Sequence, residues 1–254
     1  LKTKIVSLLV SGAILLSGCS ANETKVGSPN TETLTGKQVT TSSVHKVKHR
    51  LIGTSPNKEV KLFALQESKG TVTRMLLDIN GRQKAWNWEA IDTGTPLQVM
   101  YTDLTGDQQE EAVIMINTGR GTELDTYEVH VIRTADLTEI LVPDAVQVAE
   151  QETSSTIRRQ GDRLNITVDI HGRKYTTTYP AEDNAYFDQL RYGAISIYSI
   201  HNHQLTATVS GNFHIAMFAG DVKITYRYDP TSQRFKPGQL EFITLSPDPF
   251  PDKT

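Results

Sequence analysis

From Val60 onward the sequence repeats one pattern: a short apolar run rich in β-branched and aromatic residues, then a turn. Runs of that length read as strands, because a packed helix needs about 10–12 residues of 3.6-residue periodicity. Val60 to Leu65 and Val72 to Ile79 open the series. Asn80-Gly81 follows, the pair that a two-residue type I′ hairpin prefers because both positions take positive φ. The return run, Lys84 to Glu89, places Trp86 and Trp88 on one face, either as core or as a platform for stacking sugars. Further strands are expected at 97–101, 112–116, 127–132, 164–170, 174–179, 194–200, 205–209, 222–228 and 240–245. Two segments read as helices. Asp144 to Gln151 is short, and Pro180 to Leu190 is amphipathic with Tyr186, Phe187 and Leu190 turned inward. The expectation is a mainly β fold of antiparallel sheets in two lobes, sandwich or propeller-like, with at most one or two short helices.

The lobes are expected at residues 44–150 and 151–254, with the polar stretch Glu150 to Arg159 as their boundary. Asp78-Ile79-Asn80-Gly81-Arg82 returns 91 positions later as Asp169-Ile170-His171-Gly172-Arg173. Two readings stand: a duplicated sheet unit, or hairpin tips that converge on the same residues.

The strongest candidate for chemistry lies between the runs Leu97 to Tyr101 and Ala112 to Ile116. The loop Asp103-Leu104-Thr105-Gly106-Asp107-Gln108-Gln109-Glu110-Glu111 carries carboxylates at positions 1, 5 and 9, a hydroxyl at 3 and a glycine at 4. Carboxylates crowded into one loop repel each other unless a cation neutralises them, and Ca²⁺ takes six to eight oxygen ligands. Gly106 supplies freedom at the bend. The alternative is a metal-free turn in which Asp103 caps the loop through backbone N–H groups. The stretch from Val99 to Ile116 resembles the calcium loops of FG-GAP and VCBS-type repeats. That resemblance implies Ca²⁺ held by Asp103, Thr105, Asp107 and Glu111, with a carbonyl from Gln109. The sequence departs from the pattern at Gln108, where the family has glycine and a left-handed backbone carries a steric cost.

Other candidates have bland counterparts. His201-Asn202-His203 together with His214 is either a zinc set or a hairpin turn and a dispersed imidazole. Gly119-Arg120-Gly121 is either an anion-binding nest or a hairpin tip. There is no Gly-x-Ser-x-Gly and no Gly-x-x-x-x-Gly-Lys, and the chain has one cysteine.

That cysteine closes the motif Leu16-Ser17-Gly18-Cys19, which follows Lys2, Lys4 and a short apolar run from Ile5. The run is too short to span a bilayer, which needs about 20 apolar residues, and reads as a signal peptide over residues 1–18. Leu16-Ser17-Gly18-Cys19 resembles the lipobox of bacterial lipoproteins, of the Gram-positive kind. The resemblance implies cleavage before Cys19 and lipidation of its thiol (diacylglycerol, palmitate), and it implies no specific activity. Lipid on Cys19 also accounts for a lone thiol in an exported protein. Residues 19–43, rich in Ser, Thr, Asn and Gly, read as a flexible tether. His45-Lys46-Val47-Lys48-His49-Arg50 is either a contact for anionic lipid or a solvated strand edge.

Cleavage would remove Lys2 and Lys4 and no acid, taking the formal charge from −3 to −5. An acidic body lacks the electrostatic footprint for nucleic acid. The expected function is a membrane-anchored envelope lipoprotein: a non-enzymatic binding or scaffolding module with a structural Ca²⁺ ion, its partner an envelope protein or wall polymer. The alternative is an envelope hydrolase acting on wall glycan, which would need two carboxylates across a cleft.

Overall fold

The computed structural model describes residues 49–182 and 185–245. The segments expected as signal peptide and tether, Cys19 with them, and the proline-rich tail lie outside the described residues. The strands in chain order are β1 (Arg50–Thr54), β2 (Val60–Ser68), β3 (Thr71–Ile79), β4 (Arg82–Trp86), β5 (Ala90–Ile91), β6 (Leu97–Thr102), β7 (Glu111–Gly121), β8 (Leu124–Arg133) and β9 (Glu139–Ile140). Helix α1 (Ala145–Glu152) follows. Then come β10 (Thr153–Gln160), β11 (Arg163–Ile170), β12 (Arg173–Pro180), β13 (Ile195–His201), β14 (Gln204–His214), β15 (Met217–Asp229) and β16 (Arg234–Thr244). The fold is mainly β, with one short helix among the described residues, as the sequence leads one to expect.

Thirteen strands form one sheet in the order β16-β15-β14-β13-β8-β7-β6-β1-β2-β3-β4, with β5 on β3 and β9 on β8; β10-β11-β12 form a second sheet. Each meander is antiparallel, but β1 pairs with β6 and β8 with β13 in parallel. The sheet is therefore mixed rather than purely antiparallel. A parallel pair needs a long crossover, and here the crossovers are whole structures. Strands β2 to β5 intervene before β6, and the small sheet intervenes before β13.

Strand β7 organises the interior. Residues Glu111 to Asn117 are all buried, and alternate side chains enter different cores. Ala112, Ile114 and Ile116 join a cluster with Leu62, Met75, Leu77 and Trp88. Val113 and Met115 join another with Leu164, Ile166, Tyr226 and Phe242. The period-two geometry of a strand makes this division automatic. Strand β8 does the same with Val131 and Ile132. The first half of the sheet rolls around its core until β4 meets the turn after β8. There Arg82 Nη1 donates to the carbonyls of Thr134 and Ala135, each at 2.7 Å, and Lys84 Nζ donates to Leu137 O at 2.8 Å.

The Asn80-Gly81 hairpin has φ of 51° and 87°, as a type I′ turn requires. His171-Gly172 repeats it with 53° and 87°. In both hairpins the aspartate two residues before the turn accepts the glycine N–H, Asp78 from Gly81 and Asp169 from Gly172. The repeated Asp and Gly thus serve the same turn device in both hairpins.

Helix α1 matches its expectation, with Asp144 Oδ1 accepting Gln147 N at 2.8 Å as N-cap. One other expectation is corrected. The helix expected over Pro180 to Leu190 is absent among the described residues of that stretch. Instead the chain runs as an irregular strap whose polar groups pair across the fold: Phe187 N donates to Phe213 O, Ile157 N to Asp188 O, and Leu190 N to Ser155 Oγ. The polar stretch expected as a lobe boundary is the end of α1 and the edge strand β10. Its serines and arginines suit a strand with one wet face and a thinly covered edge. Gly119-Arg120-Gly121 follows the hairpin alternative: it ends β7, bulged between Asn117 and Gly119, and leads into the turn to β8 with Gly121 paired to Leu124.

Candidate functional site

The acidic loop joins β6 to β7, and its polar groups are turned on its own backbone. Asp103 Oδ1 accepts Gly106 N at 2.7 Å and Oδ2 accepts Gln108 N at 2.9 Å. Asp107 Oδ1 accepts Gln109 N at 2.9 Å. Glu111 Oε2 accepts Leu104 N at 2.9 Å and Thr105 N at 3.3 Å, and Thr105 Oγ1 donates to Oε1 at 3.4 Å. Gly106 and Gln108 both take positive φ, 79° and 68°. Gln108 therefore does adopt the left-handed backbone that the FG-GAP-like pattern gives to glycine. Leu104 is buried in the core shared with β14 and β15, and ties the loop to the body.

Burial separates the carboxylates. Glu111 is only 2 % exposed. That burial pushes its pKa up against the N–H bonds from Leu104 and Thr105, with the charges of Asp107 and Asp103 adding to the rise. For Asp103, desolvation also pushes upward. The N–H groups of Gly106, Gln108, Thr105 and Asp107 outweigh it and hold Asp103 below the ordinary carboxylate range. Among the described residues no three His, Cys, Asp or Glu side chains gather as a group that could hold a metal. Asp103, Asp107, Glu111, Thr105 and Gln109 are thus brought into one loop, but the carboxylates serve as its clasp.

The structure gives one of the singled-out histidines a place beside this loop. His203, at the tip between β13 and β14, places Nδ1 2.9 Å from Thr102 Oγ1 and 3.2 Å from the carbonyl of Asp103. It lies 100 positions from the loop, and no local pattern announces the contact. His214 sits at the other end of β14, about 36 Å of extended chain away, so the three imidazoles do not converge as a zinc set.

The tryptophans stack on each other, with centroids 4.7 Å apart and planes within 9°. Trp88 then stacks on His130 at 4.3 Å, and Lys84 Nζ lies over Trp86 at 4.2 Å. Trp88 is buried and Trp86 half-buried, so the pair closes the first core rather than offering a bare platform. His130 Nδ1 lies 2.6 Å from Glu139 Oε1. Beside this stack, Glu89 and Glu128 line an open hollow of about 390 Å³ with Thr71, Ile91 and Thr118. In the basic cluster before β1, Arg50 donates to Glu67 and Asp92, so this cation is paired within the protein.

No family model matches the sequence, and no curated protein matches it. Among solved structures the chain is similar to one described as a Xanthomonas type IV secretion system related protein. The identity is 14 %, over 73 % of this chain and 88 % of that one, and the TM-score is 0.21. At that TM-score the likeness carries no argument about fold or function.

Proposed function

We propose that the chain is a membrane-anchored envelope lipoprotein, tethered through Cys19, whose β body is a non-enzymatic binding or scaffolding module. The anchor rests on Leu16-Ser17-Gly18-Cys19 and the apolar run before it. The observation that carries the binding reading is the small sheet β10-β11-β12. One of its faces, with Leu164, Ile166, Val168 and Ile170, covers the second core; the other stands open and polar. A sheet held rigid from behind and wet in front is a surface for contact rather than an enclosed reaction site.

The test of the anchor is Cys19→Ala, which releases the protein from the membrane fraction into the medium; retention would remove the lipid from the proposal. The hydrolase alternative keeps one favouring observation, the hollow shared by Glu89 and Glu128. Both side chains are exposed, whereas a general acid needs burial to hold its proton at neutral pH. Incubation with purified wall glycan is expected to release no sugar. Release abolished by Glu89→Gln or Glu128→Gln would replace the binding reading with the hydrolase.

A further inference from the structure

The open face of β10-β11-β12 carries a hollow lined by three cations, Arg158, Arg159 and Lys174, and by no acid, on a chain of formal charge −3. Arg158, Arg163 and Lys174 stand outward with Asp169, Arg159 reaches the hollow from the edge strand, and Arg173 takes the core-side parity. The register lays the outward side chains in rows. Ser154, Asp169 and Lys174 form one row, Thr156, Thr167 and Thr176 the next, and Arg158, Asn165 and Thr178 the third. Rows are about 6.6 Å apart and strands about 4.8 Å. Arg158, Arg159 and Lys174 border a shallow hollow of about 510 Å³ floored by Thr156, Thr167 and Asn165.

Part of this donor array is used internally, with Arg159 Nε donating to Gly161 O at 3.2 Å. Among the described residues Arg158 and Lys174 have no ion pair, and the hydroxyls of Thr156 and Thr167 have no partner. Asp169 lies opposite Lys174, and one of its oxygens accepts Gly172 N. Asn165 spends its amide on Gln160 and its carbonyl on Thr178. The aromatic side chains of this sheet point the other way: Tyr175 and Tyr179 pack on the second core.

We propose that this face binds a linear phosphate-bearing polymer. Arginine and lysine match phosphate in charge, the guanidinium also in geometry, and the hydroxyls of Thr156 and Thr167 suit further phosphate oxygens. The missing aromatics decide against the other polyanions. Single-stranded nucleic acids gain affinity by stacking bases on aromatic rings, and carboxylated glycans present sugar rings that dock in the same way. The proposal rests on the binding reading above and is independent of the lipid anchor.

The test titrates the full chain with fluorescently labelled long-chain inorganic polyphosphate, with polygalacturonate, oligo(dT) and phosphatidylglycerol vesicles as separate probes. The expected result is saturable polyphosphate binding that weakens with salt, at least tenfold tighter than the other three. Arg158→Gln with Lys174→Gln weakens it at least tenfold. It also lowers the log–log salt slope by about 1.4, as for two phosphate contacts to a flexible polyanion. Lys223→Gln, on the outer face of β15, leaves it unchanged. Absence of polyphosphate binding, an equal loss in Lys223→Gln, or tighter binding of any other probe overturns the proposal. Vesicle binding would point to a membrane surface instead. The recovered polymer is also sized: shortened chains would overturn the non-enzymatic reading while leaving the surface assignment intact.

Discussion

At the scale of single residues the informative position is Glu111, which opens β7 while its carboxylate closes the loop before it. Removing both oxygens strands the N–H groups of Leu104 and Thr105. Glu111→Ala is therefore expected to lower stability by about 1–3 kcal/mol, read from urea midpoints. Glu111→Gln keeps an acceptor and isolates the charge. Because burial raises the Glu111 pKa in the folded state, its contribution is fully present below the unfolded value of about 4.3 and declines as pH rises through the folded value. Asp103, whose pKa is lowered, works in the opposite sense: its contribution is present above about 3.9 and is lost as pH falls. Urea midpoints from acid to neutral pH should lose their Glu111 decline in Glu111→Gln; an unchanged profile would remove burial as its cause. With its carboxylates already taken by N–H donors, the loop should unfold at the same temperature in EDTA and in about 2 mM Ca²⁺. A calcium-dependent rise that Asp107→Ala abolishes would make it a cation loop after all. The clasp role of Asp103 was legible, because aspartate three residues before glycine is a local signal. The burial of Glu111 and the approach of His203 were not, because both depend on residues far away in the chain.

At the scale of elements, hairpins were readable and junctions were not. Asn80-Gly81 announced β3 and β4 through its own backbone preference, as His171-Gly172 did for β11 and β12. Nothing local announced that β1 would lie parallel to β6, since the partners are joined only through the strands between them. One residue records the constraint in retrospect. A Cβ on Gly53 would come within 2.8 Å of Val99 Cγ2 and 2.9 Å of the Leu97 carbonyl. Gly53 is paired with Leu97 in that ladder, and the strand's register on β2 also shifts beside it. Gly53→Ala is expected to cost about 1–3 kcal/mol through the forced separation of β1 and β6, measured by denaturant unfolding. A neutral or stabilising result would mean that the junction yields freely. The strap over residues 181–182 and 185–190 failed in the other direction. Its apolar spacing suits a helix, but its N–H groups find better-placed partners on β10 and β14.

At the scale of the molecule, two interiors share one partition. Ile114 and Met115 are neighbours in sequence and fully buried, yet each belongs to a different core. Ile114→Ala and Met115→Ala should each destabilise by about 2–5 kcal/mol. Both tryptophans sit with the first core, so their emission follows that core, while far-UV circular dichroism follows the whole. Because β7 and β8 wall both interiors, the two signals are expected to share one midpoint in the parent and in both variants. Separate midpoints in Met115→Ala would show that the second core melts alone.

The shared partition also sets an order in time. The first core draws on residues from Ile52 to Leu137, and it can close while the rest of the chain is still being made or delivered. The second core waits for Phe242. During that interval Val113, Met115 and Val131 face outward as a bare apolar stripe on a finished half, the surface on which newly made chains stick to one another. The molecule is thus most vulnerable when it is half built, and the speed with which β13 reaches β8 determines how long that exposure lasts.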